Sequence, residues 1–372
     1  GLQLCMTTLD IQINSPLASQ NKPSAVGIDL DPAKLEFGKT FAPDWFVSEY
    51  RDGSWQNARV EPSHNISLHP AAIVLHYGQS IFEGMKAYRW ANGKVALFRP
   101  KDNARRFARS AERMAMPTVD AEFFVEAVKA LVRADAEWTP REPGSLYIRP
   151  TMMGTEACIG VRASHEVLFF IIALPSGAYF KETDANRVST VKVYVAETSS
   201  RAAHGGTGDV KASANYAISL HTIEEGKRKG CSQVLFLDSQ GKRQVEELGG
   251  MNVFFVEDNV LYTPQLHDTI LPGITRDSVI QVARDLGISV RETPIQIDEA
   301  AEKIKSGHIT EVFACGTAAV VIGIDEFLFE SGRRLQIGGG VAGELTRKLN
   351  AELQGIQFGR LPDRHGWTDI VT

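Results

Sequence analysis

No apolar run in this 372-residue chain exceeds the eight residues Val167 to Leu174 (VLFFIIAL). A run that short is strand length, and it falls well below the roughly 18 continuous apolar residues of a membrane helix. The chain must therefore build its cores from many short elements. Strand-like runs alternate with stretches of helical periodicity, which predicts mixed α/β architecture. At roughly 100–200 residues per domain, the length suggests two domains.

Lys94 to Phe98 reads as a strand. Asp102 to Met114 then spaces Ala104, Phe107, Ala108, Ala111 and Met114 on one helical face, and Pro117 ends it. Ala121 to Ala136 is a second amphipathic helix behind the capping residue Asp120. Ser145 to Met153 and Glu166 to Leu174 are strands. Pro175 to Val188 changes character to Pro, Gly, Ser, Asn and charge, so a domain boundary is expected near residue 180. Beyond it, Val191 to Ala196, Gln233 to Leu237 and Asn252 to Val256 read as strands. Asn215 to Lys229, Thr275 to Leu286, Ile297 to Ser306 (capped by Asp298) and Glu344 to Leu353 read as helices. Glu311 to Ile324 is one apolar, β-branched stretch. The predicted organisation is an N-terminal arm over 1–30, a small α/β domain over 31–180 and a large α/β domain over 181–372, with a cleft between the domains.

The net charge of −5 and the absence of a basic stripe argue against nucleic acid as a partner. The densest basic cluster, Arg105, Arg106, Arg109 and Arg113, interleaves with apolar residues and reads mostly as a solvated helix face. The four cysteines, Cys5, Cys158, Cys231 and Cys315, are far apart and form no C-x-x-C pair, so neither a metal site nor a disulfide framework is indicated. Scattered thiols fit a reducing compartment. The start GLQLCMTTLD lacks the basic and apolar regions of a signal peptide. A cytoplasmic protein with no membrane association is expected.

Four stretches could carry chemistry. His204 to Tyr216 (HGGTGDVKASANY) sets three glycines just ahead of Lys211, which small residues flank. A lysine reaching a bulky cofactor from a tight turn needs that clearance, and partial burial would favour its neutral, nucleophilic form. A surface turn with an exposed lysine reads equally well. Val245 to Val256 (VEELGGMNVFFV) places an acidic pair at a strand, where a buried carboxylate can hold a protonated ring nitrogen; an exposed acidic turn is the plainer alternative. Leu271 to Asp277 (LPGITRD) opens a helix whose first N–H groups, at Ile274 and Thr275, suit a phosphate, or simply start a helix. Phe313 to Ala318 (FACGTA) offers a hydroxyl beside backbone donors, or a tight turn.

Together, in this order and spacing, these stretches resemble the branched-chain amino acid aminotransferases of pyridoxal-phosphate fold type IV. Leu75 to Ala87 (LHYGQSIFEGMKA), Leu97 to Ser110 (LFRPKDNARRFARS) and Ser145 to Pro150 (SLYIRP) extend the resemblance from about Phe37 to the last helix. It implies a two-domain fold with pyridoxal 5'-phosphate in the interdomain cleft. Lys211 resembles the catalytic, cofactor-holding lysine. Arg106 resembles the phosphate-binding arginine, with Arg105 structural. Ile274 and Thr275 would give backbone N–H groups to the phosphate, and Thr317 its hydroxyl. Glu247 resembles the partner of the pyridine nitrogen, and Tyr216 the tyrosine near the phenolic oxygen. Phe37, Tyr77, Phe82, Tyr147 and Arg149 map to the substrate pocket. Gly250, Met251 and Ala318 map to the region approaching the substrate's carboxylate. Val161 maps to a loop reaching the neighbouring subunit's pocket, which implies a homodimer.

The implied reaction is reversible, ping-pong transfer of an amino group between L-leucine, L-isoleucine or L-valine and 2-oxoglutarate. The partners are thus small amino acids and 2-oxo acids. D-amino-acid aminotransferases and aminodeoxychorismate lyases share the fold type and are the alternatives. Two departures stand out: Gly250 replaces a threonine that some members carry, and no C-x-x-C follows the Gly-Thr-Ala segment.

Overall fold

The computed structural model describes residues 10–14, 29–177 and 188–372. It divides into two compact units. The first comprises residues up to 179 together with Val210–Ala214 and Ile356–Thr372; the second comprises 180–209 and Asn215–Gly355.

In the first unit, β1 (Gln12–Ile13), β2 (Asp44–Arg51) and β3 (Ser54–Pro62) precede α1 (Ile73–Tyr77). Then come β4 (Ser80–Phe82), β5 (Met85–Arg89), β6 (Val95–Phe98), α2 (Pro100–Arg113), α3 (Ala121–Ala134), β7 (Ser145–Gly154) and β8 (Val167–Ser176). The sheet order is β1-β3-β2-β8-β7-β5-β6, and β4 pairs with β7. The pairings are antiparallel apart from β1 with β3. Pro100 starts α2 at a position where a missing N–H costs nothing. Asp120 caps α3, its carboxylate accepting from the N–H groups of Glu122 and Phe123. Both helices lay their apolar faces on the sheet, with Phe107 and Phe124 meeting Phe169 of β8 at 5.3 and 6.2 Å between ring centres.

The second unit runs β9 (Thr190–Ala196), α4 (Ser213–Arg228), β10 (Gln233–Leu237), β11 (Val245–Leu248), β12 (Asn252–Glu257), β13 (Val260–Thr263), α5 (Ile274–Asp285), β14 (Val290–Glu292), α6 (Ile297–Lys305), β15 (Ile309–Gly316), β16 (Val320–Phe329), β17 (Arg334–Gln336) and α7 (Glu344–Gln357). The terminal residues of α4 and α7 belong to the first unit. Its mixed sheet has the order β11-β10-β9-β16-β15-β12-β13-β14, with β17 on β16. α6 buries Ile297, Ala300, Ala301 and Ile304 in the core on the sheet. α4 packs Ile223 against a separate cluster around Tyr194 and Phe236. Gly226 permits that approach, since a Cβ there would stand 3.2 Å from Tyr194 Cβ. Among the described residues, no helix is long and apolar enough to cross a membrane.

Several sequence expectations change. The expected boundary near 180 falls in 178–187, outside the described residues, as does most of the arm over 1–30. The chain also does not stay in the second unit after that point. Lys211–Ser213 docks on β4: Phe82 N–H donates to the Lys211 carbonyl at 3.1 Å, and Ile81 and Ala212 form a bridge. Lys211 thus groups with the first-half strands in the division into two compact units. The C-terminus returns likewise, as β18 (Thr368–Ile370) pairs with β6. Asp298 is not the cap of α6. Gln296 is, its side-chain carbonyl accepting from Glu299 N–H, while Asp298 pairs with Arg243 at 2.7 Å. The apolar stretch 311–324 is two strands, β15 and β16, broken by a turn over Thr317–Ala319.

Candidate active site

The first unit assembles a cation, an amine and an aromatic wall. Arg106 lies on the buried face of α2, and the other arginines of that cluster are exposed. Its Nε and Nη2 donate to the two carboxylate oxygens of Glu83 at 2.7 and 2.8 Å, and Glu83 is 0% exposed. A bidentate, charge-assisted pair of this kind fixes a guanidinium plane. One turn further along α2, the buried Ser110 Oγ accepts the backbone N–H of Lys211 at 2.9 Å. Ser213 Oγ and Ser80 Oγ, 3.1 Å apart, close the other side of the segment. Lys211 is half-buried, with Nζ 5.0 Å from the centre of the Phe82 ring.

Phe82, Tyr147, Arg149 and Phe37 form one contiguous group. The Arg149 guanidinium sits 4.5 Å over Phe82 and 5.3 Å from the Tyr147 ring, and its Nη2 donates to the Tyr147 hydroxyl at 2.9 Å. Arg149 Nε is buried without a hydrogen-bond partner. Phe37 meets Tyr147 edge-on at 5.0 Å. Gly84 is required beneath this group, because a Cβ would collide with the Tyr147 hydroxyl. Tyr77, closing α1, and Val161, in the loop between β7 and β8, are exposed and stand outside this network. A bridge between Ala72 and Ala157 ties that helix to that loop.

The second unit assembles a buried carboxylate and anion donors. Glu247, 3% exposed, meets Arg201 at 2.8 Å, accepts from Asn252 Nδ2 at 3.1 Å and from Leu271 N–H at 3.3 Å. Arg201 also donates to the carbonyls of Thr269 and Gly208, at 2.9 and 3.1 Å. Gly208 has no room for a side chain, since a Cβ would come within 2.6 Å of Ala202 Cβ and 2.8 Å of the Thr269 oxygen. Tyr216 lies on α4, which hydrogen bonds tie to the glycine-rich turn through Asn215 and Thr207. α5 begins at Ile274 and Thr275, and no side chain caps it. Its N-cap is Gly273, where a Cβ would strike Asn252 Oδ1. Asn252 therefore links Glu247 to the start of α5.

Gly250 and Met251 connect β11 to β12 beside Gly316, where a Cβ would meet Met251 Cγ at 3.0 Å and the Gly250 oxygen at 3.3 Å. The Thr317–Ala318 turn follows directly and ends at Val320, whose φ is +61°. A β-branched residue in that conformation is strained. So Gly250, Met251, Thr317 and Ala318 are brought together, as are Glu247 and the segment leading into α5.

Sequence reasoning missed Glu83, Ser110, Arg201, Asn252 and Gly273. Glu83 and Ser110 lie within the motifs LHYGQSIFEGMKA and LFRPKDNARRFARS, but their roles depend on tertiary contact. Arg201 carries no local signal.

Each unit by itself offers groups that fit part of a phosphorylated pyridine aldehyde. In the first unit Arg106 suits a phosphate, and in the second a helix start without a side-chain cap and the Thr317 hydroxyl do so as well. The compensated buried carboxylate of Glu247 suits a ring N–H, and Lys211 suits the aldehyde. Comparison with known proteins identifies the family. Residues 80–327 match the amino-transferase class IV family. The branched-chain-amino-acid aminotransferase of Mycolicibacterium smegmatis is 45% identical, over 89% of this chain and 90% of its own. The solved Escherichia coli branched-chain amino acid aminotransferase covers 90% of this chain and 100% of its own, with a TM-score of 0.73 and 28% identity. The T.th. enzyme of that name, solved with pyridoxamine 5'-phosphate, gives the same coverage and TM-score at 29% identity. The chain therefore belongs to the class IV aminotransferases, alongside the branched-chain-amino-acid enzymes it resembles over nine-tenths of its length.

Proposed function

We propose that this pyridoxal-phosphate-dependent transaminase moves the amino group of L-leucine, L-isoleucine or L-valine to 2-oxoglutarate and back, with Lys211 as its catalytic base. The observation that carries the reading is on α2, where one helix face holds both Arg106 and the Ser110 hydroxyl that anchors Lys211. Phosphate grip and reactive amine thus share one rigid element, which is how a site preserves reacting geometry.

When bound, pyridoxal phosphate supplies the electron sink that stabilises negative charge at the substrate's α-carbon. Lys211 Nζ takes the α-proton and returns it in the reverse half-reaction. Glu247 holds the proton at the ring nitrogen, and Arg201 and Asn252 hold Glu247. Arg106 in the first unit, and Ile274, Thr275 and Thr317 in the second, would hold the phosphate, and Tyr216 would meet the phenolic oxygen.

Phe37, Phe82 and Tyr147 offer apolar walls to a branched side chain. Arg149, set between two of those rings, offers a charge to glutamate's second carboxylate. A single methylene is worth only about 1–3 kcal/mol in such a pocket, so the three branched substrates are poorly distinguished. Gly250, Met251 and Ala318 line the approach of the α-carboxylate. Tyr77 and Val161 complete the pocket of a cytoplasmic homodimer. Val161, 88% exposed, and its exposed neighbour Ile159 support a second copy on that loop.

The test is the visible spectrum of the purified holoenzyme. L-leucine without acceptor bleaches the cofactor band and 2-oxoglutarate restores it. Bleaching by D-alanine alone would overturn the substrate assignment in favour of a D-amino-acid aminotransferase.

A further inference from the structure

Arg276 is the third residue of α5 and is 3% exposed. Charge alone argues against an arginine at that place. A helix start carries partial positive charge, so a cation in the first turn is disfavoured where an acid would be favoured. Burying the guanidinium adds the cost of removing it from water. The fold offsets this with two contacts. Arg276 Nη2 donates to Glu292 Oε1 at 2.7 Å and to the carbonyl of Pro264 at 3.1 Å. Glu292 is 37% exposed, so water screens its charge and the pair offsets the buried cation only in part.

Both contacts lie at the edge of the second unit's sheet. Pro264 follows β13, Glu292 ends β14, and the two strands pair in parallel. Side chains of a helix lean toward its N-terminus, and Arg276 uses that direction to fasten the first turn of α5 to the strands. Asn252 braces the same turn. A Cβ at Gly273 would strike Asn252 Oδ1 and stand 3.3 Å from Arg276 Cβ, and Asn252 Nδ2 donates to the Leu271 carbonyl at 3.1 Å. The start of α5 is thus held between Asn252 and Arg276. The helix also packs on β15, which leads through Gly316 to Thr317.

We propose that Arg276 is a positioning residue for the cofactor's phosphate. It fixes the direction of the Ile274 and Thr275 N–H groups by tying their turn to β13 and β14, and it adds a positive charge beside them. It acts through that turn and its field, not by touching the phosphate. A cation that is unfavourable at this helix start in the cofactor-free protein becomes favourable once a phosphate dianion lies there. The role rests on the reading that the start of α5 receives the phosphate.

The test titrates the cofactor-free protein with two ligands that differ only in the phosphate, pyridoxal phosphate and pyridoxal, and follows the visible absorption band. Inorganic phosphate is then added as a competitor of pyridoxal phosphate. Arg276→Gln should bind pyridoxal phosphate at least tenfold more weakly, bind pyridoxal within twofold of wild type, and respond to inorganic phosphate at correspondingly higher concentrations. Arg276→Lys keeps the charge and loses the planar fork, so its affinity for pyridoxal phosphate should fall between the two. Glu292→Gln keeps the cation and weakens its anchor at a partly exposed position. It should lose several-fold in pyridoxal phosphate affinity alone, and it serves if Arg276→Gln fails to fold. Equal losses for both ligands would overturn the proposal, because a residue that merely holds the fold together would give them. Unchanged pyridoxal phosphate affinity in the variants would overturn it too. A wild-type protein that bound pyridoxal phosphate no more tightly than pyridoxal would overturn the phosphate reading of the site itself, and with it this role.

Discussion

Glu83→Gln is the sharpest perturbation of the Arg106–Glu83 pair of the first unit. In the native fold, both carboxylate oxygens accept from Arg106, at 2.7 and 2.8 Å, and neither partner is open to water. An amide keeps one acceptor and turns the other into a donor facing a donor. Breaking a buried pair from one side costs about 3–5 kcal/mol, because a buried charge keeps its desolvation and loses its partner. The glutamine still accepts one hydrogen bond, and bonds to charged groups are worth about 1.5–3 kcal/mol each. A loss of about 2–4 kcal/mol in the cofactor-free protein follows from those two ranges. Urea unfolding of wild type, Glu83→Gln, Arg106→Gln and the double variant measures it. The double-variant cycle should show coupling of at least about 1.5 kcal/mol. Pyridoxal-phosphate affinity should also fall in Glu83→Gln, although Glu83 touches no cofactor in this account, because Arg106 loses its orientation. A coupling near zero, or a variant with wild-type stability and affinity, would refute the reasoning.

Three further perturbations separate the parts of the site. Ser110→Ala leaves the Lys211 N–H without its side-chain acceptor in a part-buried setting, at about 1 kcal/mol, and should lower kcat more than cofactor affinity; an affinity loss with unchanged kcat would contradict the anchoring role. Gly273→Ala forces Asn252 away from Glu247 and the start of α5, so pyridoxal-phosphate affinity should drop at least tenfold by direct titration, and an unchanged value would mean that this helix start is not the phosphate donor. Lys86 is buried and its ammonium is pushed down to about 7 by desolvation, from 10.5. The unfolded chain therefore binds the extra proton between those values, and stability rises with pH through that window. Lys86→Met should accordingly stabilise most below pH 7, by at most about 5 kcal/mol, with the gain fading toward pH 10; a gain that grows with pH would contradict the sign.

The parts legible in the sequence are those whose signal is local. Asp120 caps α3 because a short acid before an apolar helix bonds its first N–H groups wherever it occurs, and the structure places it so. The periodicity of Phe107 and Ala111 fixes which face of α2 is buried, and Arg106 falls beside that face, between Asn103 and Ser110. Asp52-Gly53, both at positive φ, turn β2 into β3, and that dipeptide was available as a hairpin signal. Other features depend on distance. Arg201 meets Glu247 across 46 positions, and nothing near it in sequence marks a partner. The break between β15 and β16 was hidden because its turn uses Thr, two Ala and a strained Val320 rather than Gly or Pro punctuation after Gly316. Gln296 caps α6 because it stands just before Ile297, the first helical residue, whereas Asp298 lies inside the first turn and pairs with Arg243. Lys211 was marked by its glycines and small neighbours, but its membership of the first unit comes from β4 and Ser110, which no local pattern reveals.

The central claim is that Lys211 is the residue that holds the cofactor and moves the proton. The direct measurement is to reduce the pyridoxal-phosphate-loaded protein with borohydride, digest it and locate the modified lysine by peptide mass spectrometry. The account predicts a single phosphopyridoxyl group on Lys211, and none on Lys211→Ala treated alike. Modification of another lysine, such as the buried Lys86, with Lys211 left unmodified, would contradict it.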